Sequence, residues 1–244
     1  MSKIPVVEIF STVQGEGPGL GKPSIFIRLG GCNLRCQFRG EACDTPYAVF
    51  TPAQLDEKNP KLKYGYDRWY STEISDVVHT IKAHKIKHLV FSGGEPMMHQ
   101  KAILDIMSTL DTTQYTAEIE TNGTIAPIIG LATCKELQFN ISVKLSSSNQ
   151  EKGYEDKRIN EEALRSFPDE RSSYKFVITD PLKDLIEIYQ ILLLRKLPVY
   201  VMPEGMTRED QIKSGPAVVK LAIENNFRYS PREHVILWDT KKGV

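Results

Sequence analysis

Leu137–Gln138–Phe139–Asn140–Ile141–Ser142–Val143–Lys144 is the stretch on which the fold turns. Leu137, Phe139, Ile141 and Val143 are apolar, and Gln138, Asn140, Ser142 and Lys144 alternate with them. A strand sends successive side chains to opposite faces, so this segment has one apolar and one polar side. In a β/α barrel the helices cover the outside. The apolar set then points outward, and the polar set lines an interior where a ligand sits. An edge strand with one wet face gives the same pattern and remains open at this stage. Glu118, Glu120 and Asn122 alternate with Ile119 and Thr121 in the same manner.

Outward from this strand, further β-rich runs fall at Ser24–Leu29, Lys87–Ser92, Tyr115–Thr121, Tyr174–Ile178 and Pro198–Met202. Helical periodicity lies between several of them. Ile74, Val77, Val78 and Ile81 follow a Ser71–Thr72 cap signal; Ile103, Ile106, Met107 and Leu110 repeat the spacing, as do Leu182, Leu185, Ile186 and Tyr189. Strand–helix alternation predicts parallel β/α units. About six strands are too few for an eight-fold barrel, so a partial barrel or an open sheet is expected. With no internal repeat, residues 1–244 read as one domain. Phe50–Tyr70, rich in Pro, Lys, Asp and Tyr, reads as a surface insertion or lid, and the polar Ser146–Arg158 as mobile.

The chain has 244 residues, enough for one large buried core. Its 31 basic and 31 acidic residues cancel, which gives no support to direct nucleic-acid binding or a membrane surface. No apolar stretch approaches the roughly 20 residues of a membrane span. Met1–Pro5 lacks the regions of a signal peptide, so a cytoplasmic protein is expected. Of four cysteines, Cys32, Cys36 and Cys43 crowd together, and Cys134 stands apart as a small packed side chain. In a reducing compartment such crowding points to metal ligation more than to disulfides. Three thiolates on one loop can hold three irons of a cubane and leave the fourth open. A structural zinc site would want a fourth protein ligand, and no cysteine or histidine lies nearby; His79, His84 and His88 read as solvent-exposed.

The spacing Cys-x3-Cys-x6-Cys is longer than the Cys-x3-Cys-x2-Cys of the radical S-adenosylmethionine superfamily, but Ser92–Gly93–Gly94–Glu95–Pro96 after the next strand resembles that superfamily's GGEP motif. A closer likeness starts at Glu8–Ile9–Phe10–Ser11–Thr12–Val13–Gln14–Gly15–Glu16–Gly17 and continues through Phe26–Ile27–Arg28–Leu29, Cys43–Asp44–Thr45 and Glu120–Thr121–Asn122–Gly123. It runs on through Ser142–Val143–Lys144 and Met202–Pro203–Glu204–Gly205 to Lys241–Lys242–Gly243–Val244. In these motifs the chain resembles the 7-carboxy-7-deazaguanine synthase family over nearly its whole length.

The resemblance implies an α/β fold, a partial, about six-stranded parallel β/α barrel with a modified cluster loop at 31–45. It implies a lyase that contracts the ring of 6-carboxy-5,6,7,8-tetrahydropterin with loss of ammonia, on the path to queuosine-type deazaguanines. It brings a 4Fe-4S cluster on Cys32, Cys36 and Cys43, S-adenosyl-L-methionine, and Mg²⁺ on Thr45. Substrate contacts would come from Val13, Gln14, Gly15, Arg28, Ser92, His234 and the Val244 carboxylate. Phe38, Gly94, Ser142, Val143, Lys144 and Met202, Pro203, Glu204, Gly205 would surround the cofactor. A flavodoxin- or ferredoxin-type electron donor and a homodimer come with the family. The insertion Arg39–Ala42 departs from the family pattern and leaves the register of Phe38 open. Two other readings stand beside this one. Another small radical S-adenosylmethionine enzyme, such as a glycyl-radical-enzyme activase, would explain the cysteines and GGEP but not Gln14–Gly17, Arg28 or Thr45; a non-catalytic metal-binding module would carry zinc or no cluster.

Overall fold

The computed structural model describes residues 3–38, 40–50, 69–149, 153–241 and 243. Eleven strands appear among them: β1 (Lys3–Val13), β2 (Pro23–Leu29), β3 (Gln37–Phe38), β4 (Glu41–Ala42), β5 (Tyr70–Glu73), β6 (His88–Gly93), β7 (Thr116–Thr121), β8 (Leu137–Ile141), β9 (Ser172–Ile178), β10 (Val199–Pro203) and β11 (Arg228–Tyr229). The helices are α1 (Pro46–Val49), α2 (Ile74–Ala83), α3 (Gln100–Thr109), α4 (Ile129–Thr133), α5 (Glu155–Arg158), α6 (Glu161–Ser166), α7 (Pro181–Leu194), α8 (Arg208–Asn225) and α9 (Glu233–Trp238).

Nine strands join in one mostly parallel sheet, ordered β11-β10-β9-β8-β7-β6-β2-β1-β5. All neighbours from β2 to β11 pair in parallel, while β1 is antiparallel to β2 and β5 to β1. The six strands read from the sequence are six consecutive neighbours here. Their number is corrected to nine by the antiparallel edge β1 and β5 and by the two-residue β11. Glu8, Ser11 and Thr12 interrupt the apolar run of β1, which hides it in a hydropathy reading.

Each strand keeps its period of two. Leu137, Phe139 and Ile141 of β8 enter the same core as Ile25 and Ile27 of β2 and Leu89 and Phe91 of β6. Val77 and Ile81 of α2, Ile103 and Met107 of α3, and Ile188 and Ile191 of α7 cover that face. Burial of each such side chain contributes roughly 1.5–3 kcal/mol. The opposite face carries Arg28, Ser92, Glu118, Glu120, Asn140 and Lys175, in keeping with the two-sided reading of β8. Local signals fix the helix starts: Asp180 accepts from the amides of Leu182 and Lys183 before α7, and Thr207 with Asp210 forms a capping box on α8.

Four expectations need correction. In α7 the apolar residues Leu182, Ile186 and Tyr189 are exposed, and the helix buries Ile188 and Ile191 instead, because the sheet meets the adjacent stripe. Ser71 and Thr72 are not a cap; they pair with Pro5 and Ile4 in the sheet, and Glu73 precedes α2. His88 is buried at the start of β6, with Nδ1 2.8 Å from Thr116 Oγ1. The described parts of Ser146–Arg158 are packed: Tyr154 and Arg158 are buried, and Arg158 pairs with Glu187. Most of Phe50–Tyr70 lies outside the described residues, although Trp69 Nε1 donates to the Tyr47 carbonyl at 2.8 Å. No helix among the described residues is long and apolar enough to cross a membrane.

Candidate functional site

Parallel strands end together, so the loops after β2, β6, β7, β8 and β10 gather at one edge of the sheet. Cys32, Cys36 and Cys43 follow β2 at that edge. The longer spacing resolves into a hairpin. Gln37 pairs with Ala42 and Phe38 with Glu41, and Gly40 sits in the turn at φ +84°. The same register sets Cys36 opposite Cys43, whose N–H donates to the Cys36 carbonyl at 3.2 Å. The extra residues of the loop thus bring the Cys36 and Cys43 backbones together instead of driving them apart. Leu34 N–H donates to Cys32 Sγ at 3.4 Å, and the Tyr154 hydroxyl lies 3.2 Å from Cys36 Sγ. Burial pushes the Cys32 thiol up to about 11 and Cys43 to about 12. Bare thiolates are therefore disfavoured here unless a cation stands beside them.

The glycine motif is built around Glu95. Its fully buried carboxylate accepts from Met97 N–H at 2.9 Å, Thr121 Oγ1 at 2.7 Å and Asn122 N–H at 2.7 Å. Burial raises its pKa. Asn122 then donates to Asn33 at 2.9 Å, and Asn33 to Thr124 at 2.7 Å, which ties the loop after β7 to the cysteine loop. Gly94 must be glycine, since a Cβ there would strike the Gly31 carbonyl.

Inside the sheet's polar face runs an ion network. Lys175 Nζ lies 2.6 Å from Glu16 Oε2 and 3.2 Å from Glu120 Oε1. Arg232 Nε lies 3.0 Å from the other Glu16 oxygen, while its Nη atoms reach Asp44 and, at 2.8 Å, the Gly205 carbonyl. Burial alone would lower Lys175 and raise Glu16. The opposite charges win, holding Lys175 above and Glu16 below their ordinary values. Ser92 Oγ donates to Glu120 at 2.7 Å, and Gln14 donates to Glu118. Glu118 is pushed up to about 7, chiefly by burial and then by Glu120.

These elements collect most of the residues read from the sequence. Val13 closes β1 opposite Pro23. The Gln14 side chain is engaged by Glu118, Glu120 and the Glu16 amide, so a ligand would meet it only by displacing one of them. Gly15 lies under His234, where a Cβ would sit 2.5 Å from the imidazole Nδ1, and His234 Nε2 is 3.9 Å from Glu16. Arg28 gives its Nε to Glu8 at 2.6 Å between the rings of Phe10 and Tyr47; its Nη atoms hold no hydrogen bond among the described residues. Thr45 precedes α1 without a side-chain capping bond. Lys144 Nζ donates to Ser142 Oγ at 3.0 Å. Val143 turns its side chain into the core, so only its backbone is open to a ligand. Met202 and Pro203 are buried at the end of β10, followed by Glu204 and Gly205. Phe38 stands half-buried in the hairpin, its register fixed by Glu41. Val244 lies outside the described residues.

Glu118, Lys175, Arg232 and Tyr154 are the site residues that the sequence reading missed. Lys175 had a signal, as the lone charge within Tyr174–Ile178. Arg232 and Tyr154 had none. The donor set fits an iron–sulfur cluster: three free soft thiols on one loop, two of them with a hydrogen-bond partner at sulfur. Among the described residues, no three His, Cys, Asp or Glu converge as ligands of a single ion.

Known proteins agree with this geometry. The family model described as "4Fe-4S single cluster domain" matches residues 13–161. The 7-carboxy-7-deazaguanine synthase of Halobacterium salinarum is 32% identical over 97% of this chain and 91% of its own. That of Rickettsia prowazekii is 32% identical over 97% and 88%, and that of Pyrobaculum aerophilum 27% over 99% and 97%. In fold, the chain is similar to QueE from Escherichia coli, with TM-score 0.70 and 22% identity over 95% of both chains. Streptococcus suis SuiB bound to S-adenosylmethionine gives TM-score 0.52 at 13% identity, over 82% of this chain and 48% of that one. With 97% of its length matched at this identity, the chain belongs to the 7-carboxy-7-deazaguanine synthase family.

Proposed function

We propose that residues 1–244 form a single radical S-adenosylmethionine domain that converts 6-carboxy-5,6,7,8-tetrahydropterin into 7-carboxy-7-deazaguanine with loss of ammonia. The observation that carries this reading is the hairpin that sets Cys36 against Cys43 beside Cys32, at the edge where the glycine loop and the ion network meet. When bound, the cluster and S-adenosylmethionine supply one-electron radical chemistry.

The chain's own residues bind and orient. The open Nη face of Arg28, stiffened by Glu8, Phe10 and Tyr47, receives the pterin carboxylate as a bidentate pair. Val13, Gln14, Gly15, Ser92, His234 and Val244 complete the substrate shell. Glu16, clamped by Lys175 and Arg232, fixes the loop on which three of them sit. Gly94, Ser142, Lys144, the Val143 backbone and Met202–Gly205 flank the cofactor, and Phe38 shields the loop from water. The Thr45 hydroxyl, which makes no capping bond to α1, takes Mg²⁺, an ion that accepts few protein oxygens. A flavodoxin- or ferredoxin-type donor, a homodimer and a cytoplasmic setting belong to the same proposal.

A partial barrel is the finer form of the sheet. Seven steps separate β1 from β11, about 34 Å at the usual ~4.8 Å spacing. Val13 to Gly17 spans at most about 14 Å of extended chain. Yet Gly17 N–H donates to Ser230 Oγ, just beyond β11, at 2.8 Å, which supports a sheet curled on itself. The activase reading is not favoured, since relatives matching nearly the whole chain carry the synthase name.

Anaerobic reconstitution with iron and sulfide, then incubation with the pterin, S-adenosylmethionine, Mg²⁺ and reductant, tests the reading. Mass spectrometry is expected to find 7-carboxy-7-deazaguanine, and C43A to abolish both product and 5′-deoxyadenosine. Protein that takes up no sulfide, or C43A that still forms deoxyadenosine, overturns it.

A further inference from the structure

Two cysteines of the loop have a hydrogen-bond donor at sulfur among the described residues, and the two donors differ in kind. Cys32 takes the Leu34 amide, from the loop itself. Cys36 opens the hairpin, whose own residues Gln37, Phe38, Glu41 and Ala42 pair with one another across the ladder. Its partner comes instead from a distant segment: the Tyr154 hydroxyl, 118 positions along the chain, stands 3.2 Å from Cys36 Sγ. Tyr154 is buried, and its segment is held at both sides. Asn149 Nδ2 donates to the Arg35 carbonyl at 2.7 Å, and Arg158 donates to the Lys144 carbonyl at 2.8 Å while pairing with Glu187. A sulfur bonded to iron can only accept, so in the loaded site the hydroxyl must be the donor.

We propose that Tyr154 is a positioning residue of the cluster site, whose hydroxyl donates to Cys36 Sγ and raises the reduction potential of the cluster held there. A hydrogen bond to a ligating sulfur favours the electron-richer, reduced state, so its loss makes reduction harder. The inference rests on the reading that Cys32, Cys36 and Cys43 hold a cluster.

The test compares anaerobically reconstituted full-length wild type and Y154F, which keeps the ring and removes only the donor. Iron and sulfide content is measured first, then the midpoint by potentiometric titration with electron paramagnetic resonance detection. Y154F is expected to hold the same iron and sulfide. At the poise that half-reduces the wild type, its oxidised-to-reduced ratio should rise about fivefold, the effect of one ordinary hydrogen bond. Should Y154F fail to load, wild type labelled with 3-fluorotyrosine replaces it. The more acidic phenol donates more strongly and is expected to shift the midpoint upward. An unmoved midpoint in loaded Y154F, or in the labelled protein where Y154F does not load, overturns the proposal. Wild type without sulfide overturns the cluster reading itself, a distinct outcome.

Discussion

Glu118 is fully removed from water, with Glu120 on the same strand face and the neutral amide of Gln14 as its donor. Such a carboxyl keeps its proton up to about pH 7, while the unfolded chain loses it near 4.5. Between those values the unfolded state gains charge that the folded state refuses, so stability falls as pH rises. E118Q removes the titration and keeps the shape. Urea denaturation should find the variant equal to wild type near pH 4.5 and more stable by on the order of 3 kcal/mol at pH 7; a difference constant across pH would contradict this. At this scale the sequence showed Gln14–Gly15–Glu16–Gly17 as a motif but not what holds it. Lys175 and Arg232 lie 159 and 216 positions from Glu16, beyond any local pattern.

Elements were the most legible level, because a strand's period of two and a helix's stripe are written in adjacent residues. The six central strands and the covering helices α2 and α3 followed from periodicity alone. The face of α7 did not, since Leu182, Leu185, Ile186 and Ile188 are apolar on too many sides for the pattern to choose one. The cysteine hairpin was also hidden, two residues per strand being too short to leave a period. Its turn needs Gly40 at positive φ, so G40V should strain it by about 1–2 kcal/mol. Iron per chain after reconstitution is expected to fall by half or more, with far-ultraviolet circular dichroism unchanged. Full loading of G40V would show that the hairpin does not organise the thiols.

For the whole molecule, Arg232 does what no single element can. It joins the loop after β1 through Glu16, the cysteine loop through Asp44 and the end of β10 through Gly205. R232M would leave Glu16 with Lys175 and more distant His234, and Asp44 half-exposed without its partner. The expected loss is about 3 kcal/mol, or roughly 6–12 °C in melting temperature, with R232K recovering part of it. Equal melting of R232M and wild type would remove Arg232 from this role. The family's identity was legible early because its motifs are contiguous. The tie between the loop after β1 and the residue just beyond β11 was not, because Gly17 and Ser230 lie near opposite ends of the chain.

A ladder has parity. Because Cys36 and Cys43 face each other across an antiparallel pair, a chain that lengthens this hairpin symmetrically keeps both sulfurs on one side. A single added residue in either arm turns one sulfur to the far side unless a bulge absorbs it. Chains sharing this ladder should therefore differ in the distance between their last two cysteines by even numbers, as the four extra residues here already do.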